Sequence, residues 1–588
     1  MDIPVAAGSE KFMRSAANSE SRTVFKLLVI AAIFIGAILP TNVANAGAIF
    51  PSNIPALGLL LEENIDIAAS VDVAITMNEP GGELKDPYQS KSLVCSSMVD
   101  KICDEAVLVK ITQHLPVCAV DPSIACISEV WAIDSSGKKT DGNYVTSLPA
   151  KWAYDRDPIP SMDLPAVKGS GALWNIPGVT NSGGEDNYFV SVMNVSYEVK
   201  SAGISLLTKK AEYANISAAI TPVQKVSGNY LPNKAFDKRD GRAGFTTNGE
   251  VSTPTKERCA VTDTGICEVA RDFPKGYRIG MNIKVGSKLS GWFHGRIALP
   301  IISTKPWKNG LEISVEAEPV KISTLDFTVP NSQIPDAVRK IVFVDKPFGN
   351  NASIADGRIL IGDNVSSANM ELMNAFLPAI GDKASKTKSY WSYKALNSWN
   401  QPAIQKCSDG TGELAGVVTT NALTYSSGPP IFDQDSGSLI YKVASPHFEA
   451  NGDVARGSYD LALRADVARC IYGFSKAPIR AEISITSSDG ATQEIASEML
   501  IEKDGWFYLS AKNFTFSSPT LKVKLMQEKP KEVVVETKPE AAKPIEEVAV
   551  AVKPAIAKKW ISITCTKGKI SKKITGANPK CPSGFRKK

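Results

Sequence analysis

The sequence predicts a mainly β protein, with tandem antiparallel sandwich-like domains, short disulfide-closed loops and little helix. Three observations predict it. Apolar and polar residues alternate along Asn64–Met77, Asn187–Lys200, Tyr277–Val285 and Leu311–Ile322, and a period of two marks a half-buried strand. Clusters of Gly, Pro, Asn, Asp and Ser separate these runs, the punctuation of sandwiches and barrels. Cysteines recur eight residues apart in CSSMVDKIC, CAVDPSIAC and CAVTDTGIC.

The chain has 588 residues, 43% hydrophobic and 22% charged. Length alone suggests about three to four domains, and the apolar content suffices for sizeable cores. A formal charge of +5 is small for this length. It gives no global nucleic-acid footprint, and no nucleic-acid partner is expected.

Residues 1–46 read as a signal peptide. A polar stretch with Lys11, Arg14, Arg22 and Lys26 precedes the uncharged run Leu27–Leu39, and Ala44 and Ala46 stand at A-x-A spacing. That layout predicts cleavage after Ala46. The run is shorter than the roughly 20 residues a spanning helix needs, so no membrane span is expected in the mature chain. An uncleaved anchor starting from Val24 is the alternative. Export predicts a secreted or cell-surface location.

All ten cysteines lie beyond residue 46, and outside the cytoplasm such pairs oxidise and persist. The spacing suggests sequential pairing: Cys95 with Cys103, Cys118 with Cys126, Cys259 with Cys267, Cys407 with Cys470 and Cys565 with Cys581. Spacing alone does not fix connectivity. The three short frames read as loop or hairpin staples, because Asp121-Pro122, Asp263 and Gly265 turn chains. The shared CAV…D…C wording is either an internal repeat or a common hairpin solution. Zinc sites place cysteines two to four apart, often with histidine. Here there is no C-x-x-C, and His114, His294 and His447 are scattered. Neither a metal nor another cofactor is expected.

Taken in order, residues 47–330 form a β-rich region of one large or two small sandwich domains. Residues 331–389 connect it onward and carry one short helix within Ser366–Ile380, with Ser367 as N-cap and Pro378 near its end. Residues 390–525 read as a separate sandwich holding the long Cys407–Cys470 bridge. Within it, Lys503-Asp504-Gly505 between apolar alternating runs is a hairpin signal. Residues 526–558 repeat Lys-Pro four times and contain no aromatic residue, the composition of an extended solvated spacer. Residues 559–588 form a small disulfide-closed module. It carries Lys567, Lys569, Lys572, Lys573, Lys580, Arg586, Lys587 and Lys588, and from Trp560 onward no acidic residue. That charge favours anionic polymers such as those of a cell wall, acidic glycans or lipid headgroups.

The tail ITCTKGKISKKITGANPKCPSGF resembles a terminal module of uncharacterised secreted multidomain proteins of aquatic actinobacteria. RCIYGFSKAPIRAEISI…DGWFYLSAKNFTFSSPTLKVKL resembles the domain before it there, and GYRIGMNIKVGSKLSGWFHGRI another stretch of such proteins. The resemblance covers about a fifth of the chain. It implies a Gram-positive envelope or secreted location and brings no activity, cofactor or catalytic residue.

No nucleophile elbow, zinc-protease helix, Walker A or dinucleotide fingerprint is present. SKTK at Ser385–Lys388 matches S-x-x-K without its supporting motifs. DQDSGS at Asp433–Ser438 half-matches a calcium loop and lacks the later acidic ligands. His294 and His447 are flanked by aromatics and read as packed strand residues. Tryptophans including Trp292, Trp307, Trp391, Trp399 and Trp506 offer sugar-stacking surfaces wherever they are exposed. The leading expectation is therefore a secreted or cell-surface structural and interaction protein, its basic tail retaining it at an anionic wall. The alternative is an extracellular glycan-binding or glycan-active protein. A hydrolase with a dispersed active site ranks third.

Overall fold

A computed structural model describes residues 55–527 except 64–72, 77–92, 96–107, 149–156, 200–214, 229–258, 346–351, 362–366, 397–401, 409–412, 475–478, 487–491, 494–497, 517–519 and a few isolated positions. It also describes residues 561–587 except 568–569, 577–579 and 582–584. The expected signal peptide lies outside the described residues, as does the expected linker apart from Met526 and Gln527. The chain divides into two compact units, Met1–Lys529 and Pro530–Lys588.

The first unit is mainly β, as its alternating runs require. Its central sheet is built by successive pairing of Leu108–His114, Asn187–Val199, Ile216–Ser227, Lys386–Leu396 and Trp292–Trp307. It continues through Gly416–Thr420, Arg456–Arg464, Trp506–Thr515 and Glu498–Lys503. Along this path only the step from Trp292–Trp307 to Gly416–Thr420 is parallel. One face packs on a second layer containing Cys126–Ile133, Arg278–Gly286 and the first half of Gly310–Pro330. The other face, around Gly416–Thr420 and Arg456–Arg464, packs on a six-stranded sheet that includes Ser438–Ala444, Thr520–Gln527 and Ile479–Thr486.

Two long strands join these layers. Trp292–Trp307 pairs in the central sheet up to Arg296 and with Gly310–Pro330 from Ile297 onward. The register shifts between Ala298 and Ile301, and Leu299 has φ 49°. A positive φ is costly for a branched side chain, so neighbours must hold the bend. The Leu299 N–H donates to buried Asp460 at 2.9 Å, and Arg278 donates to the Leu299 carbonyl at 2.9 Å. Gly310–Pro330 leaves the second layer to pair with Lys386–Leu396 and then with Ala56–Leu61. There a third core forms under the helix Ser367–Phe376 and the 3₁₀ turn Leu377–Ile380. The helix expected within Ser366–Ile380 is present. Residues 331–389 also supply strands Ala352–Ala355 and Arg358–Ile361, the latter parallel to Ala56–Leu61.

Strand pairing runs unbroken across residue 390. Lys386–Leu396 bonds Ile216–Ser227 and Trp292–Trp307, so the region expected as a separate sandwich shares its sheet with the preceding one. Two helices there carried no strong sequence signal: Pro402–Ser408 and Ala465–Tyr472. The second ends at Gly473, φ 66°, with the Phe474 N–H donating to the Arg469 carbonyl at 2.9 Å. That is the left-handed stop a helix uses to satisfy its last carbonyls. The Asp504-Gly505 hairpin is present, with Lys503 opposite Trp506 and φ values of 52° and 81° at the turn. Among the described residues no helix is long and apolar enough to cross a membrane.

Aromatic rings lie across glycines on neighbouring strands. Gly280 is opposite Trp131 and Gly457 opposite Phe514. A Cβ added at Gly280 would sit 2.1 Å from the indole, and one at Gly457 2.0 Å from the Phe514 ring. Gly457→Val should therefore force Phe514 out of its rotamer and destabilise the first unit by about 1–3 kcal/mol. Equilibrium urea unfolding measures this. A midpoint equal to that of the unsubstituted protein would show that the ring is free to move.

Candidate functional site

Cys118–Cys126, Cys407–Cys470 and Cys565–Cys581 are bonded, with Cα separations of 5.0, 5.8 and 5.6 Å. Cys267 is also disulfide-bonded and sits beside Cys259 in a hairpin of Cys259–Asp263 with Ile266–Ala270. Cys95 ends the strand Leu93–Cys95, while Cys103 lies outside the described residues. The 118–126 loop is held from within and without. Asp121 accepts the Ser123 N–H at 2.8 Å and the Ala166 N–H at 2.9 Å. Lys308 donates to the carbonyls of Pro122 and Ser123. Burial acts to raise the Asp121 carboxyl, but its hydrogen bonds to Ser123 and Ala166 and the Lys308 charge outweigh it and hold the pKa low.

In the C-terminal unit Ile561–Lys567 pairs with Ile570–Gly576 on one side and Arg586–Lys587 on the other. The register sets Lys572 and Lys587 on either side of Cys565, Arg586 opposite Thr566, and Lys573 opposite Thr564. Lys567 pairs with Ile570. Lys580, Arg586 and Lys587 are exposed. Lys569 and Lys588 lie outside the described residues. Lys572 and Lys587 thus share one row of the three-stranded sheet with Cys565, while Lys573 and Arg586 stand in the adjacent rows.

The other candidates resolve into structural roles. His114 and His294 are buried, 2% and 1% exposed. The His294 ring stacks on Tyr425 at 3.7 Å. Burial pushes its pKa well down, and Arg296 and Lys394 push it further, so it stays neutral. His447, half-buried, bonds through Nδ1 to Asp382, whose other oxygen accepts the His447 N–H at 2.9 Å. Among the described residues no Ser or Thr hydroxyl bonds that ring. In SKTK, Ser385 bonds the Asp326 backbone and Lys388 pairs with Glu62 at 3.3 Å, so the two do not form a dyad. In DQDSGS, Asp433 accepts the Ser436 N–H at 3.2 Å within a hairpin turn. Among the described residues no group of three or more His, Cys, Asp or Glu converges to hold a metal. Trp131, Trp174, Trp292, Trp391 and Trp506 are buried. Trp307 is half-buried, with Lys308 4.7 Å and Lys284 5.9 Å from its ring. Trp399 lies outside the described residues.

Two features had no sequence signal. Arg296 is buried beside Glu63. Its Nε donates to Glu63 at 2.6 Å, Nη2 also pairs with Glu63, and Nη1 and Nη2 reach the carbonyls of Thr420, Ala422 and Leu423. All five guanidinium N–H groups therefore have an acceptor. Glu268, 2% exposed, has a pKa raised to about 7 by burial first and by nearby Glu185 second, against the pull of Lys225.

A raised folded-state pKa stabilises the fold at low pH and is lost as pH rises through it. Stability should thus fall between about pH 4.5 and pH 7, by about 3 kcal/mol at most from this group. Glu268→Gln should flatten that slope in denaturant titrations at a series of pH values. An unchanged slope would assign the pH dependence elsewhere.

No protein-family model, curated protein or solved structure matches the chain.

Proposed function

We propose that this is an exported surface or matrix interaction protein, retained at an anionic cell-wall polymer by its C-terminal module. One observation carries the reading: the C-terminal unit sets Lys572 and Lys587 in one row with the disulfide-bonded Cys565, and Lys573 and Arg586 in the two adjacent rows, which face the other way, with no acidic residue from Trp560 onward. Without internal counter-charges, such a cluster attracts polyanions in a salt-dependent way. The signal-peptide layout and the bonded cysteines support a location outside the cytoplasm. The glycan-binding alternative draws on Trp307, the half-exposed member among the described tryptophans.

Cell fractionation tests the reading. The full chain should sediment with the envelope at low salt and be released at high salt. A chain lacking residues 559–588 should pass into the medium at both. Equal distribution of the two forms would remove tail-mediated retention.

A further inference from the structure

We propose that the Cys565–Cys581 disulfide organises the anion site, that its ligand is a linear phosphate-bearing polymer, and that reduction of the bridge switches retention off. This rests on the retention reading above.

The strand Arg586–Lys587 has two residues, each paired once, with Thr566 and Cys565. Two pairings cannot offset the entropy of ordering the segment that follows Cys581. The tether is Cys581, five residues before Arg586 and bonded to the strand that Arg586–Lys587 joins. Core packing gives little help. Ile563 and Cys565 are the buried residues among those described in this unit, and modules this small depend on staples.

The bridge therefore decides whether Lys587 stands across Cys565 from Lys572. Adjacent strands lie about 4.8 Å apart, so the two lysine backbones sit ~10 Å apart across one row. Lys567 stands two residues from Cys565, ~7 Å along the strand. Basic residues whose backbones hold these spacings can engage successive phosphates of one extended chain, each contact raising the effective concentration for the next. Released from the bridge, the segment after Cys581 would carry the same charges without that spacing. In the switching step a dithiol reductant attacks one sulfur of the bridge. The S–S bond breaks, two electrons and two protons pass to Cys565 and Cys581 as thiols, and the reductant closes to its own disulfide.

The test uses the oxidised full chain on immobilised long-chain inorganic polyphosphate at fixed low salt. Cys565→Ser/Cys581→Ser and Lys572→Ala/Lys587→Ala should each bind roughly ten- to thirtyfold more weakly, the loss expected for two cationic contacts. Cys118→Ser/Cys126→Ser should bind as the unsubstituted chain does. A serine pair at 565 and 581 that binds normally while the lysine pair weakens would overturn the bridge's role and leave retention standing. Binding unaffected even by removal of residues 559–588 would overturn both. Preference for vesicles rich in anionic lipid over polyphosphate would overturn the polymer assignment.

Discussion

Arg296→Ala is expected to destabilise the first unit by about 3–5 kcal/mol, because it leaves the Glu63 carboxylate buried without its partner. Arg296 and Glu63 are 1% and 7% exposed. The guanidinium also lies 4.2 Å over the Tyr425 ring, on the face of the strand that carries His294. Losing it frees three backbone carbonyls, at Thr420, Ala422 and Leu423, where the chain passes from the central sheet towards the six-stranded one. Glu63→Gln keeps an acceptor and should cost less than Arg296→Ala. Arg296→Met/Glu63→Leu should recover most of the loss, since a buried ion pair is often replaceable by apolar volume. Urea midpoints of the single and double variants check this. A double variant no more stable than Arg296→Ala would show that the backbone contacts, rather than the stranded charge, carry the energy.

Breaking Cys407–Cys470 is the second large effect. The bridge spans 63 residues, and closing a ring of that size lowers unfolded-state entropy by an amount worth roughly 4 kcal/mol at 25 °C. It also ties Pro402–Ser408 to Ala465–Tyr472, helices of seven and eight residues. Neither is long enough to persist alone in water. Cys407→Ser/Cys470→Ser should lower the denaturation midpoint far more than Cys118→Ser/Cys126→Ser, whose ring is much smaller. Near-equal losses from the two pairs would show that local contacts, and not loop closure, dominate. The two helices should also lose amide protection before the central sheet does.

The β content, the helix within Ser366–Ile380 and the Asp504-Gly505 hairpin were legible because each rests on a local signal. Alternation of period two, an apolar helical stripe and a turn dipeptide act within a few residues, although Ser367, expected as the N-cap, is already the first residue of the helix. The three bonded pairs described in full follow the order that spacing suggested, since neighbours in a compact chain meet most readily. The helix around Cys470 was hidden by its brevity. Eight residues between a strand and Gly473 give barely two turns of periodicity.

The sequence by itself determined the strand-rich class, the turns, the spacing of the cysteines and the basic, acid-free tail. Only the tertiary structure decided which strands pair, and with that the rest. Alternation tells which side of a strand is apolar but says nothing about its neighbour. Glu63 meets Arg296 across 233 residues, and Lys386–Leu396 joins regions that composition separates. The same holds for Lys572 and Lys587: their charge is written in the chain, but their place on either side of Cys565 follows from sheet register and one disulfide.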